Sequence, residues 1–338
     1  MYPLPFPGAQ STLALAVAHD GLVVGQAVIN GVGYAAYWDE EGAHQIFSVP
    51  SMATSISLHG HIVGWTRLPD RDRVVPFVKQ GEMLLYLPEP SGSVGACYAY
   101  AVSGNGRVVA GIAMMPDPTP SRWRIISARG IVWNSGYPSE LEALGGGFGS
   151  QANALSYDGL IVAGSATVTA SSLNRRATLW VGGVPELIGT LGGETSVAWG
   201  IDGAGRQVVG RSQTATGENR AFYWTRETGI VDLQTHFARY IPAGWVLRSA
   251  NAISPNGRYI VGTGVNPSGA VEAWLLDTGF ECSSYTGDTN GDACVDDADL
   301  LAVLFAFGGT GGAEDVNCDG SVDDADLLTV LFNFGSGC

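Results

Sequence analysis

One short unit constrains this chain more than anything else in it. Residues 250–262 read Ala-Asn-Ala-Ile-Ser-Pro-Asn-Gly-Arg-Tyr-Ile-Val-Gly. Small and apolar residues alternate, a Pro-Asn-Gly turn follows, and a β-branched run closes on Gly262, the pattern of a strand, a tight turn and a second strand. Residues 152–164, 100–111 and 198–210 repeat the pattern, and 16–25 and 55–64 are shorter copies. Aligned on the turn glycines Gly21, Gly60, Gly106, Gly159, Gly205 and Gly257, the copies lie 39, 46, 53, 46 and 52 residues apart. Six copies near this period predict a repeat architecture, and the period suits a four-stranded propeller blade.

A third strand with a central aromatic follows each copy: Tyr37-Trp38, Val132-Trp133, Leu179-Trp180, Tyr223-Trp224 and Ala273-Trp274, with Phe77-Val78 in the second copy. Tryptophans at these places could stack on sugar, but their fixed position in the repeat favours packing between blades. A fourth strand is expected near 140–144, 186–191 and 229–233. The sixth copy ends at Leu276 with three strands. Residues 7–14 parallel 191–198, which puts residues 2–6 where a fourth strand belongs. The expected fold is therefore mainly β, a six-bladed β-propeller over 1–277 whose N-terminal strand closes the last blade and leaves no open edge.

Charge divides the chain. Of 32 acidic residues, 13 fall in 277–338, which holds none of the 17 Lys and Arg, so residues 1–276 are nearly neutral and the tail is strongly acidic. A net charge of −15 argues against a nucleic-acid partner. Cys282, Cys294, Cys318 and Cys338 crowd the tail and imply an oxidising compartment, while Cys97 stands apart. The opening Met-Tyr-Pro-Leu-Pro-Phe has neither a basic nor a long apolar segment, so no signal peptide is visible. With a cysteine-rich tail, the expectation is that this start is truncated or misassigned. No run reaches the length of a membrane span.

The repeats resemble the HAF-type extracellular repeat over most of residues 12–276. That resemblance implies secretion and no known activity. The sialidase-type Asp box, with Trp soon after a Ser-x-Asp-x-Gly turn, is not matched.

Five long connections, at 66–76, 113–130, 166–176, 211–220 and 234–249, carry 12 of the 16 arginines. Up-and-down connectivity puts them on one face. Arg122, Trp123, Arg124, Arg175, Arg176, Arg239, Tyr240 and Trp245 are the ligand-face candidates, because arginine beside exposed aromatics recognises anions and sugars. Ordinary loop charge with local pairs such as Asp70 and Arg73 is the competing reading. No catalytic set emerges: the five histidines have no metal-ligand spacing, and residues 147–152 mimic a dinucleotide fingerprint but join two strands. His236, beside Arg239 and Tyr240, is the histidine to test, against a plain packing role.

The tail holds the sharpest motif. Asp288, Asn290, Asp292, Cys294, Asp296 and Asp299 recur 27 residues later as Asp315, Asn317, Asp319, Ser321, Asp323 and Asp326. Each set places oxygen ligands at positions one, three, five, nine and twelve of a loop, with a backbone carbonyl at seven (Cys294 and Ser321), the pattern that surrounds a calcium ion. Two calcium ions are expected. The loops lead into near-identical helices at 297–307 and 324–334, and Leu300, Leu301, Leu304 and Phe305 are expected to pack on Leu327, Leu328, Leu331 and Phe332.

Residues 285–338 resemble a dockerin domain, and the terminal Gly337-Cys338 resembles its GC-type variant. The resemblance implies a cohesin-like partner, contacted through loop positions ten and eleven: Asp297 and Ala298, Asp324 and Ala325. The usual Ser-Thr is absent there, which leaves the partner type open. Ala293 replaces the turn glycine, so the first calcium site is expected to be the weaker; a Cβ at positive φ costs about 1 kcal/mol. Four cysteines allow three pairings. Pseudo-symmetry of the loops favours Cys294 with Cys318, and Cys282 and Cys338 flank the module and are expected to tie its ends together, leaving Cys97 reduced and partly buried. Residues 278–284 are then a linker. The reading is a monomeric, secreted or surface-attached, non-enzymatic binding module, held by a calcium-dependent dockerin, with an anionic polysaccharide as a further ligand. A dockerin-borne propeller enzyme, a polysaccharide lyase or glycoside hydrolase, is the alternative.

Overall fold

The computed structural model describes all residues except 1–3, 19–20, 69–72, 122–123, 146, 170–173, 280–286, 293, 310–312 and 317–321; for 117–121 and 124–126 it describes the backbone alone. The chain divides into two compact units, Met1–Leu187 and Ile188–Cys338. Its architecture is mainly β, a six-bladed β-propeller by blade count and strand order.

Five blades are four-stranded antiparallel meanders. The first is β1 (Ser11–Val17), β2 (Val23–Ile29), β3 (Val32–Asp39) and β4 (Gly42–Gln45). The second is β5 (Ser51–Ile56), β6 (Ile62–Leu68), β7 (Arg73–Gln80) and β8 (Met83–Tyr86). β9 (Cys97–Val102), β10 (Val108–Ser121), β11 (Arg124–Asn134) and β12 (Tyr137–Leu141) form the third. β13 (Ser150–Leu155), β14 (Ile161–Thr167), β15 (Arg175–Val181) and β16 (Val184–Gly189) form the fourth. The second unit holds β17 (Gly192–Ile201), β18 (Val208–Thr214), β19 (Asn219–Thr225) and β20 (Gly229–Asp232). Its last blade has three strands, β21 (Val246–Ile253), β22 (Tyr259–Val265) and β23 (Val271–Asp277). Helix α1 (Leu233–His236) precedes that blade, and α2 (Asp297–Ala306) and α3 (Asp324–Asn333) follow it.

The repeat has a mechanical basis. In every blade the first strand carries a β-bulge, so that its pairing with the second strand skips one residue: Leu15, Thr54, Tyr100, Asn153, Trp199 or Asn251. The bulge pushes a carbonyl toward the second strand, where the motif's closing glycine lies. A Cβ on Gly25, Gly64, Gly111, Gly164, Gly210 or Gly262 would collide with the carbonyl oxygen of Leu13, Met52, Tyr98, Gln151, Val197 or Ser249. Glycine closes the motif because nothing larger fits.

The turn between these strands is capped the same way in the third, fourth and sixth blades. Val108 N donates to Ser103 Oγ at 3.0 Å, Ile161 N to Ser156 Oγ at 3.0 Å and Tyr259 N to Ser254 Oγ at 2.8 Å. Asp202 replaces serine in the fifth blade and accepts from Arg206 N and Gln207 N.

Blades pack second strand on first: within the first unit β2 meets β5, β6 meets β9 and β10 meets β13, and within the second β18 meets β21. Trp133, Trp180 and Trp274 lie in these seams. Trp133 and Trp180 are fully buried. Trp38, Trp133 and Trp180 donate Nε1–H to the carbonyls of Pro5, Pro88 and Glu142, at 3.0, 2.8 and 2.8 Å, each in the segment leading into the same blade. This is the packing role expected for them.

Three expectations need correction here. The closing strand does not form among the described residues: 4–6 are not a strand, and they are held in the first blade by the Trp38 latch and by packing of Leu4 and Phe6 against Ala27, Ala36 and Trp38. Tyr2 and Pro3 lie outside the described residues. The long connection at 113–130 is mostly a ladder, with β10 and β11 paired from Val108↔Asn134 to Ser121↔Arg124. Finally, the helix faces expected to pack together do not. Val295, Val303, Val316, Val322 and Val330 form the tail's core, with Leu300 and Leu327 half-buried against it. Leu301, Leu304, Phe305, Leu328, Leu331 and Phe332 are exposed, the two phenylalanines at 87% and 80%. Small β-branched valines, three from the loops and Val303 and Val330 from the helices, form this core and leave the larger side chains outside.

The disulfide is also corrected: Cys294 pairs with Cys338. The backbone explains it. Val295 N donates to Ser336 O at 2.9 Å and Gly335 N to Val295 O at 2.7 Å, which brings the C-terminus beside the first loop. Val322 makes the same exchange with Gly308 and Gly309 in the other half, which has no matching cysteine pair. Cys282 and Cys318 lie outside the described residues. Cys97 is free and buried, and burial, then Glu89, pushes its thiol up to about 11.

Candidate functional site

Bulges re-aim side chains, and in the third blade the bulged residue is Tyr100. Tyr98, just before the buried Ala99, stacks on Tyr100 with centroids 6.1 Å apart and planes at 17°. Trp65 of β6 meets the edge of Tyr98 at 5.5 Å and 80°. In the next blade the residue matching Tyr98 is Gln151, whose Oε1 accepts from Arg175 Nη1 at 3.3 Å. Trp65, Tyr98, Tyr100, Gln151 and Arg175 thus come from three successive blades of one unit. All five are half-buried. Burial, with Tyr98 adding and Arg175 opposing, pushes the Tyr100 phenol up to about 12. Burial also lowers Arg175, against the pull of Tyr100.

The other ligand-face candidates are distributed differently. Arg122 and Trp123 lie outside the described residues, and Arg124 is described by its backbone alone. Arg176 follows Arg175 on β15, so alternation sends it to the opposite face; its Nε is buried without an acceptor. Arg239, Tyr240 and Trp245 belong to the second unit. Arg239 lies over the Tyr240 ring at 4.5 Å and donates to its hydroxyl at 2.6 Å. Tyr240 and Trp245 join Pro242, Glu272 and Trp274 around a cleft of about 300 Å³. Trp274 lacks the latch of its counterparts: its Nε1 is buried with no acceptor. The segment that would supply one is here diverted through α1 and a 3-10 turn, Ala238–Tyr240. His236 stacks on Tyr223 at 5.1 Å and meets the edge of Phe237 at 4.6 Å, which is a packing role.

In the tail's first loop, oxygen atoms face backbone amides. Gly291 N donates to Asp288 Oδ1 at 2.7 Å, Asp292 N to Asn290 Oδ1 at 2.8 Å and Cys294 N to Asp292 Oδ1 at 2.9 Å. Asp296 and Asp323 cap α2 and α3, each in a capping box with the buried Asp299 or Asp326. Asp299 Oδ1 accepts from Thr289 N, Thr289 Oγ1 and Asn290 N, and its Oδ2 from Asp296 N. Asp315 is buried, and Asn317, Asp319 and Ser321 lie outside the described residues. Among the described residues no three His, Cys, Asp or Glu side chains converge as a metal-holding cluster. Asp297, Ala298, Asp324 and Ala325 are exposed on the first turns of their helices.

The sequence motif did not point to Tyr98, Tyr100, Trp65 or Gln151. The signal was present in the positions flanking the central alanine of each repeat, which are aromatic in the third blade and amides in the fourth.

No family model matches the chain, and no curated protein matches it. Solved structures resemble it in fold alone. The β-propeller domain of the Trilobed protease from Pyrococcus furiosus is 10% identical with a TM-score of 0.49, covering 80% of this chain and 82% of that one. TolB from Acinetobacter baumannii is 12% identical with a TM-score of 0.46, covering 72% of this chain; the match spans 59% of TolB. Dipeptidyl peptidase 4 from Porphyromonas gingivalis is 10% identical with a TM-score of 0.48, covering 82% of this chain and 46% of that one. Among the described residues no helix is long and apolar enough to cross a membrane.

Proposed function

We propose that this chain is a non-enzymatic binding module, secreted or cell-surface, whose acidic tail is a calcium-dependent dockerin that docks a cohesin-like partner. The observation that carries this reading is the pair of registered loop–helix units 27 residues apart, each ending in a helix with an outward apolar face. Leu301, Leu304 and Phe305 sit at helical spacing on one exposed face, and Leu328, Leu331 and Phe332 repeat it. Exposed apolar patches of this kind mark interaction surfaces.

The donor set fits a hard divalent cation: carboxylate and amide oxygens, without a lysine or arginine in 277–338 to neutralise them. Asp288, Asn290, Asp292, Asp296 and Asp299 would hold one calcium ion, with the Cys294 carbonyl. Asp315, Asn317, Asp319, Asp323 and Asp326 would hold the second, with the Ser321 carbonyl. Bound calcium supplies positive charge that draws each loop together, and the protein's own part is to keep Asp299 and Asp326 fixed at the helix starts. A further ligand is an anionic polysaccharide on the arginine-bearing connections of the propeller.

The test is capture of a cohesin module by the full chain, with and without chelator. The reading expects capture in calcium, loss in chelator, and loss when Phe305 and Phe332 are both changed to Ser. Capture that ignores both chelator and the double substitution would exclude it.

A further inference from the structure

We propose that Arg175, Gln151, Tyr98, Tyr100 and Trp65 form a binding site for a sugar ring bearing a carboxylate. The inference deepens, and rests on, the anionic-glycan part of the reading above; it concerns the first unit and is independent of the tail.

Arg175 is the reason for the negative charge. Three other arginines are closed by the chain's own carboxylates. Arg73 pairs with Glu89, Arg220 Nε with Asp232 at 3.0 Å, and Arg258 Nε with Asp277 at 2.9 Å. Arg175 is half-buried; among the described residues its one acceptor is an amide oxygen, Gln151 Oε1, at 3.3 Å, and no carboxylate pairs with it. Withdrawing a guanidinium from water without an anion is unfavourable. A ligand carboxylate restores the missing partner, and the planar fork can take it through two parallel hydrogen bonds.

The aromatic residues are the reason for the ring. Tyr98 and Tyr100 are stacked, and Trp65 braces Tyr98 from its edge. The bulge fixes where Tyr100 points, so the platform does not depend on a mobile loop. Aromatic faces suit the C–H face of a pyranose, while the Tyr100 hydroxyl and the Gln151 amide can meet its hydroxyls. Tyr100 keeps its proton across the neutral range, since burial raises its phenol, so it remains a donor. A small carboxylate without a ring would use Arg175 and leave the aromatic residues idle.

The experiment is calorimetric titration of the full chain with trigalacturonate and with its methyl ester, which has the same ring and no charge. A calcium chelator is present throughout, so the acidic tail cannot recruit the ligand through a bridging ion. Wild type should bind the acid at least about tenfold more tightly than the ester. Arg175→Gln should bind the acid no better than wild type binds the ester. Arg175→Lys, a point charge without the fork, should fall between, and Tyr100→Phe should weaken acid and ester alike by a few-fold while keeping the packing. Unchanged thermal unfolding of the Lys and Phe variants shows that the fold is intact. Equal affinity of wild type for acid and ester, or wild-type affinity in Arg175→Gln and Arg175→Lys, would overturn the site. If polygalacturonate still bound those variants and was released only by neutralising Arg176 and Arg239, the anionic-glycan reading would stand and this site would fall. If wild type bound neither the trimer nor the polymer, both would fall, leaving the calcium-dependent anchor to its own test.

Discussion

Asp202 shows how one residue can depart from a repeat at a measurable cost. Ser103, Ser156 and Ser254 cap the equivalent turn with a neutral hydroxyl, whereas Asp202 does so with a carboxyl that is 4% exposed. Burial raises that carboxyl to about 6, although the Gln207 and Arg206 amides pull the other way. A carboxyl raised on folding binds more protons in the native than in the unfolded state between the two pKa values. Stability therefore falls as pH rises from about 4 to about 6 and stays reduced above, by about 3 kcal/mol. Asp202→Ser should be more stable than wild type at pH 7.5, and the advantage should shrink toward pH 4; urea unfolding at both pH values measures it. Gly164→Ala should go the other way, losing about 3 kcal/mol, because its Cβ collides with the Gln151 carbonyl at the bulge. The sequence displays Gly164 as the end of a motif. Its reason lies in the pairing register of two strands, which no single strand's pattern contains.

At the scale of elements, the alternation of small and apolar residues, the turn glycines and the third-strand tryptophans made the blades legible. What stayed hidden depended on contacts between distant segments. Residues 113–130 read as a loop because Pro116, Pro118 and Pro120 interrupt any strand pattern, yet the outer part of a hairpin tolerates proline. The latch from Trp180 to the Glu142 carbonyl joins residues 38 apart in sequence. Trp180→Phe should lower stability by about 1 kcal/mol, since it removes the bond to the Glu142 carbonyl. Cys338 could not be assigned from spacing because the exchange between Val295 and residues 335–336 decides its position. Peptide mapping without reduction should yield a Cys294–Cys338 cross-link. Cys97 should alkylate only after unfolding, and a mapped Cys282–Cys338 link would refute the pairing.

At the scale of the whole molecule, two kinds of chemistry are kept apart in sequence. Blades carry arginine and aromatic residues over a nearly neutral background, and the tail carries carboxylates with no basic residue. The candidate site was half legible: Arg175 stood out by charge, whereas Tyr98, Tyr100 and Gln151 gain meaning only when the bulges align successive blades. The tail was legible as a ligand pattern but not as a surface, because the choice of valine over leucine for its core is a matter of packing volume. On the proposed function, calcium organises the tail and leaves the blades alone. Without a cation, the clustered carboxylates of each loop repel one another; with one, binding free energy becomes folding free energy for the loops and their helices. The most direct test is calcium titration of the chelator-stripped full chain, followed by calorimetry and circular dichroism together. The expected result is two calcium ions per chain, a gain of helical signal that chelator reverses, and an unchanged β-sheet signal. Absence of calcium binding, or binding that leaves the helical signal unmoved, would contradict it.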